Sequence, residues 1–216
     1  MKGLILKDIY GIRITQKTYI LLFLFLCIFG YIMKSPGYVG VMCIVVFATS
    51  ILSLFNADQY YHWDTYAASL PLGKKTVVRA RYLLVIVMSV GIALFTAVIT
   101  GITAALLNAD VAKEIFSSVS ACIIIPIYSA IIIPVIYKLG VEKGRIVFVM
   151  LFLAPTIVML LIKDIIQGTR MESALIGLLQ NPNGKMIIVG MALAVSILVL
   201  AVSYVISVKI YSRKEF

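Results

Sequence analysis

Residues 82–107 read YLLVIVMSVGIALFTAVITGITAALL, a run of 26 positions without a charged side chain. A helix rises about 1.5 Å per residue, so this run is long enough to cross the roughly 30 Å of hydrocarbon in a bilayer. Other apolar runs precede and follow it. We therefore predict an all-α integral membrane protein with six transmembrane helices, at residues 18–33, 38–56, 82–107, 115–137, 146–163 and 185–208.

The composition of the whole chain supports this class. Of its 216 residues, 62% are hydrophobic and 13% are charged, whereas soluble domains carry about 25% charged residues. Strands of a membrane β-barrel would be about ten residues long with alternating polarity, and the runs here are longer and uniformly apolar. We expect one transmembrane domain over residues 1–216.

The basic residues that flank the spans predict the orientation. With a cytoplasmic N-terminus, 14 of the 19 Lys and Arg residues lie on the cytoplasmic side and 5 lie outside. This predicts a multi-pass protein of the cell membrane with both termini cytoplasmic. The same assignment accounts for the net charge of +10 and leaves no basic domain, so we expect no nucleic-acid partner.

The N-terminal segment, residues 2–17, is basic and has Ile5, Ile9 and Ile12 along one stripe. This pattern predicts an elbow helix that lies in the membrane interface. The alternative is a basic extension of the first span. Near the other end, residues 164–184 form an outside loop with a turn expected at residues 181–184. Part of this loop forms a re-entrant or capping helix, or the whole of it is exposed.

The loop at residues 57–81 is polar and rich in aromatic residues. Four of its side chains follow the i, i+3, i+4, i+7 spacing of a short amphipathic helix: Trp63, Tyr66, Ala67 and Leu70. Pro71 and Gly73 end that helix, and basic residues follow: Lys74, Lys75, Arg79 and Arg81. Such a helix beside the bilayer is suited to receive force from a soluble partner. An interfacial anchor formed by the aromatic rings is the alternative.

Two patterns within the spans predict helix contacts and bends. A small residue recurs at every fourth position of the third span, which allows close helix packing within the subunit or across a dimer: Ser89, Ala93, Ala97, Gly101 and Ala105. Pro126, Pro134 and Pro155 each remove a backbone hydrogen bond. They indicate bent pathway-lining or hinge helices, or ordinary prolines of membrane helices.

Several chemistries lack the residues that they require. The chain has no GxxxxGK[ST] phosphate loop and no HExxH metal motif, and its only histidine is His62. Cys27, Cys43 and Cys122 lie in apolar runs without metal-ligand spacing, so we expect no metal site. No ionisable residue lies in the middle of a span, where ion-coupled carriers place such groups. If the protein moves a solute, its energy should come from another chain.

Two loops and the N-terminus resemble those of the ABC-2 type transporter permeases, in their small bacterial six-span branch. The first loop matches with an acidic residue, aromatics, and a proline turn followed by basic residues: Asp58, Trp63, Tyr66, Leu70, Pro71, Leu72, Lys74, Lys75, Val78, Arg81 and Tyr82. Residues 134–145, PVIYKLGVEKGR, are similar to P-x-x-[YF]-[KR]-[FL]-G-x-E-[KR]-[GA]-R, and residues 1–8 resemble the family's N-terminus. The resemblance covers essentially the whole chain. Gly73 departs from the usual Ser or Thr, although glycine costs only a few tenths of a kcal/mol at an N-cap.

The resemblance implies a fold like that of type V ABC exporters and a set of partners. Two permease copies, identical or different, would pair with two copies of a cytoplasmic ABC ATPase that binds ATP and Mg. This chain would hold no cofactor and would not itself be an enzyme. Its coupling helix would contact the ATPase through Asp58, Trp63, Tyr66, Ala67, Leu70, Pro71, Lys74 and Lys75. A second cytoplasmic contact would comprise Lys138, Gly140, Glu142, Lys143 and Arg145.

We therefore expect the permease subunit of an ATP-binding cassette exporter that moves hydrophobic or amphipathic cargo out of the cell with the energy of a separate ATPase subunit. The nearest likeness within the family is to permeases that export phenol-soluble-modulin-like amphipathic peptides. Two alternatives remain at this point: an immunity or sensor protein that binds a toxic peptide without transport, and a small intramembrane hydrolase that uses His62. The identity of the cargo and the direction of its transport are left open.

Overall fold

The structure is a computed structural model that describes residues 38–69, 73–166 and 182–213, together with positions 7, 10, 20, 21, 24, 25, 28 and 32. Every regular element within these ranges is a helix: α1 Tyr38–Tyr60, α2 Trp63–Ser69, α3 Lys74–Leu106, α4 Val111–Ala121, α5 Ile124–Leu139, α6 Val141–Ile166 and α7 Pro182–Arg213. Apart from the single positions given, the predicted elbow and first span lie outside the described residues. So does most of the loop at residues 164–184.

Three described segments are long and apolar enough to cross a membrane: Lys74–Leu106, Val111–Leu139 and Gly184–Arg213. Their outer faces carry large apolar side chains, and Leu94, Val98 and Ile197 each expose more than 60% of their surface. In water such continuous apolar faces would be unfavourable by about 25 cal/mol per Å². In hydrocarbon they are the expected surface, so the chain is a multi-pass helical membrane protein.

Helix α5 lies at the centre of the bundle, because it packs against α1, α3, α6 and α7. Ile125, Ile132 and Ile133 of α5 are fully buried, and their spacing of seven and eight places them on one side of the helix. The other helices contribute Phe47, Ile51, Val78, Val85 and Tyr211 to the same core. The three buried isoleucines therefore define the inner side of the bundle.

Helices α4 and α5 together cover the predicted fourth span, with a break between them. At the break the backbone makes i→i+3 bonds: the Cys122 N–H donates to the Val119 carbonyl at 3.1 Å and the Ile125 N–H to the Cys122 carbonyl at 3.0 Å. Pro126 has no N–H, so the Cys122 carbonyl cannot accept the usual i→i+4 bond. The predicted span over residues 115–137 therefore lies within a longer helical segment that begins at Val111 and consists of two helices.

Pro134, in contrast, lies inside α5 without breaking it. Its missing N–H would have bonded to the Ala130 carbonyl, and the Ser203 hydroxyl of α7 donates to that carbonyl instead, at 2.5 Å. The Tyr82 hydroxyl of α3 lies 2.5 Å from Ser203 Oγ and 2.8 Å from Ser207 Oγ. The carbonyl freed by Pro134 is thus satisfied by a hydroxyl of a neighbouring helix, as membrane helices require. Helix α6 also continues through the position of Pro155.

The ridge of small residues on α3 is only partly a helix contact. At Gly101 a methyl group would lie 3.3 Å from Ile115 Cδ1, so α4 approaches closely there, within the subunit. Ala93 and Ala97 are half-buried and Ala105 is exposed. The buried face of this half of α3 instead carries Thr96, Thr100, Thr103 and Ala104. The sequence pattern did not predict this threonine face.

Two helices begin before the starts of their predicted spans. Helix α3 begins at Lys74, eight residues before the predicted span, so the basic segment 74–81 forms its first turns, after Gly73 as the N-cap. Helix α7 begins at Pro182, and the turn predicted at residues 181–184 is wrong. Proline is favoured at the first helical position, where no N–H is needed and its fixed φ suits the helix.

Candidate functional site

A tight turn at the end of α1 places α2 beside it. The Tyr61 N–H donates to the Ala57 carbonyl at 3.0 Å, and His62 follows with φ 50°. Histidine tolerates this left-handed conformation better than branched residues do. The Tyr66 N–H then donates to the His62 carbonyl at 3.3 Å. As a result α2 packs against the end of α1.

Asp58, in the last turn of α1, joins three parts of the chain. Its carboxylate pairs with the Arg81 guanidinium of α3 and, at 2.5 Å, with the Lys7 ammonium of the N-terminal segment. Arg81 is 6% exposed, and its guanidinium also lies over the Phe55 ring, 4.7 Å from the centroid. A buried guanidinium requires such partners because desolvating an unpaired charge is very unfavourable. Asp58 is therefore directed into the molecule and positions α1 against α3.

Helix α2 has an inner and an outer face. Ala67 is buried, and the half-buried Trp63 ring has Lys7 Nζ 4.0 Å from its centroid, within cation–π range. The Tyr66 ring lies 5.4 Å from that of Trp63 and is 57% exposed. Together with two exposed rings of the preceding turn it forms what we name the aromatic surface: Tyr60, Tyr61 and Tyr66.

The second predicted contact is the junction between α5 and α6. Gly140 has φ 84° and ψ 171°, a backbone region that is essentially restricted to glycine. The chain reverses there, and the Gly144 N–H donates to the Gly140 carbonyl at 3.1 Å. A methyl group on Gly144 would lie 2.8 Å from Ile136 Cγ1, so the two helices approach closely. The exposed charged residues of this junction, which we name the junction surface, are Lys138, Glu142, Lys143 and Arg145.

The aromatic surface and the junction surface belong to one connected region. Arg145 Nη2 donates to Asn56 Oδ1 at 3.1 Å, which joins the start of α6 to the end of α1. A cavity of about 260 Å³ lies between the two loops and is lined by residues of both: Phe55, Asp58, Gln59, His62, Trp63, Thr65, Val77, Arg81, Ile136, Tyr137, Gly140 and Val141. The two sequence motifs, about 70 residues apart in the chain, thus meet in space.

A row of aromatic rings extends from this region to the end of α7, and no pattern in the sequence indicated it. The Phe55 and Tyr137 rings meet edge to face at 5.6 Å, and Tyr137 meets Tyr211 at 5.0 Å. Such pairs contribute about 0.5–1.5 kcal/mol each beyond their buried area. The ends of α1, α5 and α7 are therefore held together.

The remaining predicted residues have the following positions. Lys74 Nζ donates to the Ser212 carbonyl at 3.4 Å, next to the end of α7, and Lys75 is exposed. Leu70 and Pro71 lie outside the described residues. Of the predicted coupling residues that are described, Tyr66 and Lys75 are on the surface, whereas Asp58 and Ala67 face inward.

The side chains exposed in this region are aromatic rings and charged groups. His62 is exposed at the 260 Å³ cavity, and the residues described as lining that cavity include no serine and no cysteine. Within the described ranges, no three His, Cys, Asp or Glu side chains are grouped as a metal site would require. These exposed rings and charges lie on helices that are joined by the ion pairs of Asp58 with Lys7 and Arg81. We name these ion pairs the clamp.

Helices of membrane-crossing length, with a polar aromatic helix and a charged junction at one end, define the class of a multi-pass membrane protein with a polar, aromatic end. A family model described as "ABC-2 family transporter protein" matches residues 3–212. The chain therefore belongs to the ABC-2 family of transporter proteins, and the resemblance drawn from its loops is confirmed. Permeases of this family are the membrane component that works with a cytoplasmic ABC ATPase. No curated protein and no solved structure shows significant similarity to this chain.

Proposed function

We propose that this chain is the permease subunit of an ATP-driven exporter in the cell membrane, with both termini cytoplasmic. In this proposal α2 is the coupling helix, and the aromatic surface and the junction surface together dock the ATPase. The observation that carries the proposal is the meeting of these two surfaces, through the Arg145–Asn56 hydrogen bond and their common cavity. One partner subunit can contact both surfaces at once only because they are adjacent.

The route of the force follows from the clamp. Closure of the ATPases displaces α2, and Lys7 and Asp58 connect α2 and α1 to Arg81 at the start of α3. Helix α3 then transmits the displacement into the bilayer as a stiff continuous element of 33 residues. Asp58 is a positioning residue in this scheme, and Tyr66 and Lys143 are docking residues.

Cargo in this proposal is hydrophobic or amphipathic, such as an amphipathic peptide, and it moves along a path between two permease copies. The support is chemical: the described spans place no ionisable side chain at their centres, so they offer no partner for a hydrated charge. This chain, reconstituted together with its ATPase subunit, should export such a peptide when ATP is hydrolysed. Transport of a strongly hydrophilic solute would contradict this choice of cargo.

The docking surface is tested by charge reversal at two matched lysines. Lys143 of the junction surface and Lys113 of α4 are both exposed, but they lie at opposite ends of the bundle. We expect Lys143→Glu to weaken association with the copurifying ATP-binding subunit at least tenfold, because like-charge contacts at an interface cost several kcal/mol. Lys113→Glu should leave the association unchanged. Equal association of both variants and the unmodified chain would refute docking at the junction.

The aromatic surface is tested by Tyr66→Ala, which removes an exposed ring without disturbing the buried clamp. Buried aromatic anchors at interfaces typically contribute 2 kcal/mol or more, so we expect at least a tenfold loss of association with the ATPase and uncoupled ATP hydrolysis. Resistance to a toxic peptide that persists without any ATPase would favour an immunity protein instead. A hydrolytic activity that is lost in His62→Ala would favour the hydrolase.

A further inference from the structure

A long groove along the membrane-crossing helices lies away from the candidate docking surface. It has a volume of about 1010 Å³ and is lined by residues of α3, α4, α5 and α7. Tyr82 and Tyr204 lie at one end, and Ala112 and Val189 lie at the other. Since α3 runs opposite to α4 and α7, the groove extends over most of the membrane-crossing length.

Most residues that line the groove are apolar, and the serine hydroxyls among them make hydrogen bonds within their own helices. Three serines line it, and each hydroxyl donates to a carbonyl of its own helix: Ser89 to Val85 at 2.7 Å, Ser120 to Phe116 at 2.6 Å and Ser196 to Leu193 at 2.8 Å. Hydroxyls that are bonded back to the helix offer no donor to a ligand. The groove therefore suits saturated or unsaturated hydrocarbon and does not suit a polar chain.

One end of the groove differs from the rest because it carries Arg79. Among the described residues that line the groove, Arg79 is the one with a charged side chain. Arg79 is exposed and has no carboxylate within 4 Å among the described residues. The basic start of α3 and the basic end of α7 lie at this same end. The combination of a cation at a membrane boundary and an apolar groove beside it is complementary to an amphiphile with an anionic head.

We propose that the groove binds one anionic phospholipid, with its phosphate at Arg79 and its acyl chains along α3, α4 and α7. The lipid comes from the leaflet at the basic helix ends, which the distribution of charges predicts to be cytoplasmic. A helix of a second copy, about 10 Å across and about 30 Å long, would need roughly 2,400 Å³. The groove provides less than half of that volume, whereas acyl chains adapt to its shape. This lipid site does not depend on the proposed export function.

The test uses the purified full-length chain in detergent, titrated with phosphatidylglycerol or with phosphatidylcholine of identical acyl chains. Native mass spectrometry counts the bound lipids, and thermal unfolding gives an independent measure of affinity. We expect one phosphatidylglycerol to bind in preference to phosphatidylcholine. Arg79→Gln should weaken the binding of phosphatidylglycerol about five- to tenfold, since one basic side chain near a membrane surface contributes about 1 kcal/mol. Lys113→Gln removes an exposed cation at the opposite end of the bundle, which does not line the groove, and should have no effect.

A second pair of variants tests the apolar part of the site. Ala201 lines the groove and Ala194 does not, and both are exposed on α7. Ala201→Phe should weaken the binding of both lipids, and Ala194→Phe should weaken neither. Equal binding of the two lipids, or an Arg79→Gln variant that binds normally, would refute the headgroup site. Loss in Arg79→Gln without loss in Ala201→Phe would refute the placement of the chains, and a groove occupied by a second copy or a peptide would refute the lipid.

Discussion

Gly140 shows how one backbone angle supports the junction between α5 and α6. Its φ of 84° and ψ of 171° are strained for any residue with a Cβ, although no atom would obstruct that Cβ. We expect Gly140→Ala to lower the free energy of unfolding by about 1–3 kcal/mol. Gly73→Ala is the matched control, because Gly73 has φ −59° and an equally open surrounding. Thermal unfolding of both variants in detergent measures the difference, and equal loss of stability would refute the strain argument.

Asp58 allows a second prediction about a single side chain. Replacing it with Asn removes the charge that compensates Arg81, which is 6% exposed. Breaking a buried ion pair in this way costs about 3 kcal/mol, so Asp58→Asn should unfold at a markedly lower temperature. Glu142→Gln removes an exposed carboxylate and should change stability little. The double variant Asp58→Asn, Arg81→Met should be more stable than Asp58→Asn alone, because it no longer buries an unpaired charge. If it is not more stable, the two charges are not energetically coupled.

The sequence predicts which residues belong to the candidate site more readily than it predicts which residues they contact. The spacing of Trp63, Tyr66 and Ala67 predicts a short helix, and α2 has those residues. Nothing in the pattern indicates that Asp58 pairs with Arg81, 23 residues away, and with Lys7, 51 residues away. Which charges pair depends on how the helices pack, and packing in a membrane is not encoded by hydropathy.

The contact between α5 and α7 gives a prediction about helices. Pro134 leaves the Ala130 carbonyl without its helical donor, and Ser203 of α7 supplies one. Ser203→Ala should destabilise the protein by about 1–3 kcal/mol, since a buried carbonyl is left unsatisfied. In a Pro134→Ala background the restored N–H satisfies that carbonyl within α5. The cost of Ser203→Ala should therefore fall by roughly 1 kcal/mol in that background.

The control for this cycle is Ser207→Ala, which removes the other hydroxyl bonded to Tyr82 but leaves the Ala130 carbonyl satisfied. Ser207→Ala should lower the free energy of unfolding by the same amount in the presence and in the absence of Pro134. Unfolding midpoints of the six proteins, measured in one detergent, provide the comparison. A Ser203→Ala cost that does not change with Pro134 would show that the hydroxyl does not substitute for the missing N–H.

Hydropathy predicted the existence of the long helices better than their limits. All of the run at residues 82–107 except its last residue lies in α3, but α3 also includes the basic segment 74–81, because Lys and Arg are good helix formers. The prolines predicted that the helices are irregular, but they did not indicate whether a helix breaks or continues at each proline. Pro126 accompanies a break, whereas Pro134 lies in a continuous helix, where Ser203 supplies a donor to the freed carbonyl. That donor is remote in sequence, so no local pattern contains it.

At the scale of the molecule, the polar interactions of residues 38–69, 73–166 and 182–213 are concentrated at one end. The Asp58 clamp, the Arg145–Asn56 bond and the rings of Phe55, Tyr137 and Tyr211 all lie there. The rest of the described bundle is held by apolar packing and by hydroxyls bonded to carbonyls. Such a molecule has one stiff end, suited to receive force, and spans able to shift against one another in lipid. The proposed function requires the stiff end to face the compartment that contains the ATPase.

That requirement can be tested by labelling single cysteines on intact cells. The three native cysteines are first replaced, and one cysteine is then introduced at Tyr61, which is 67% exposed at the polar end. A membrane-impermeant maleimide should label Tyr61→Cys only after the cells are permeabilised. Lys113→Cys, exposed at the opposite end of the bundle, should be labelled on intact cells. The reverse pattern would place the aromatic surface outside the cell, where no ATP-driven partner could reach it.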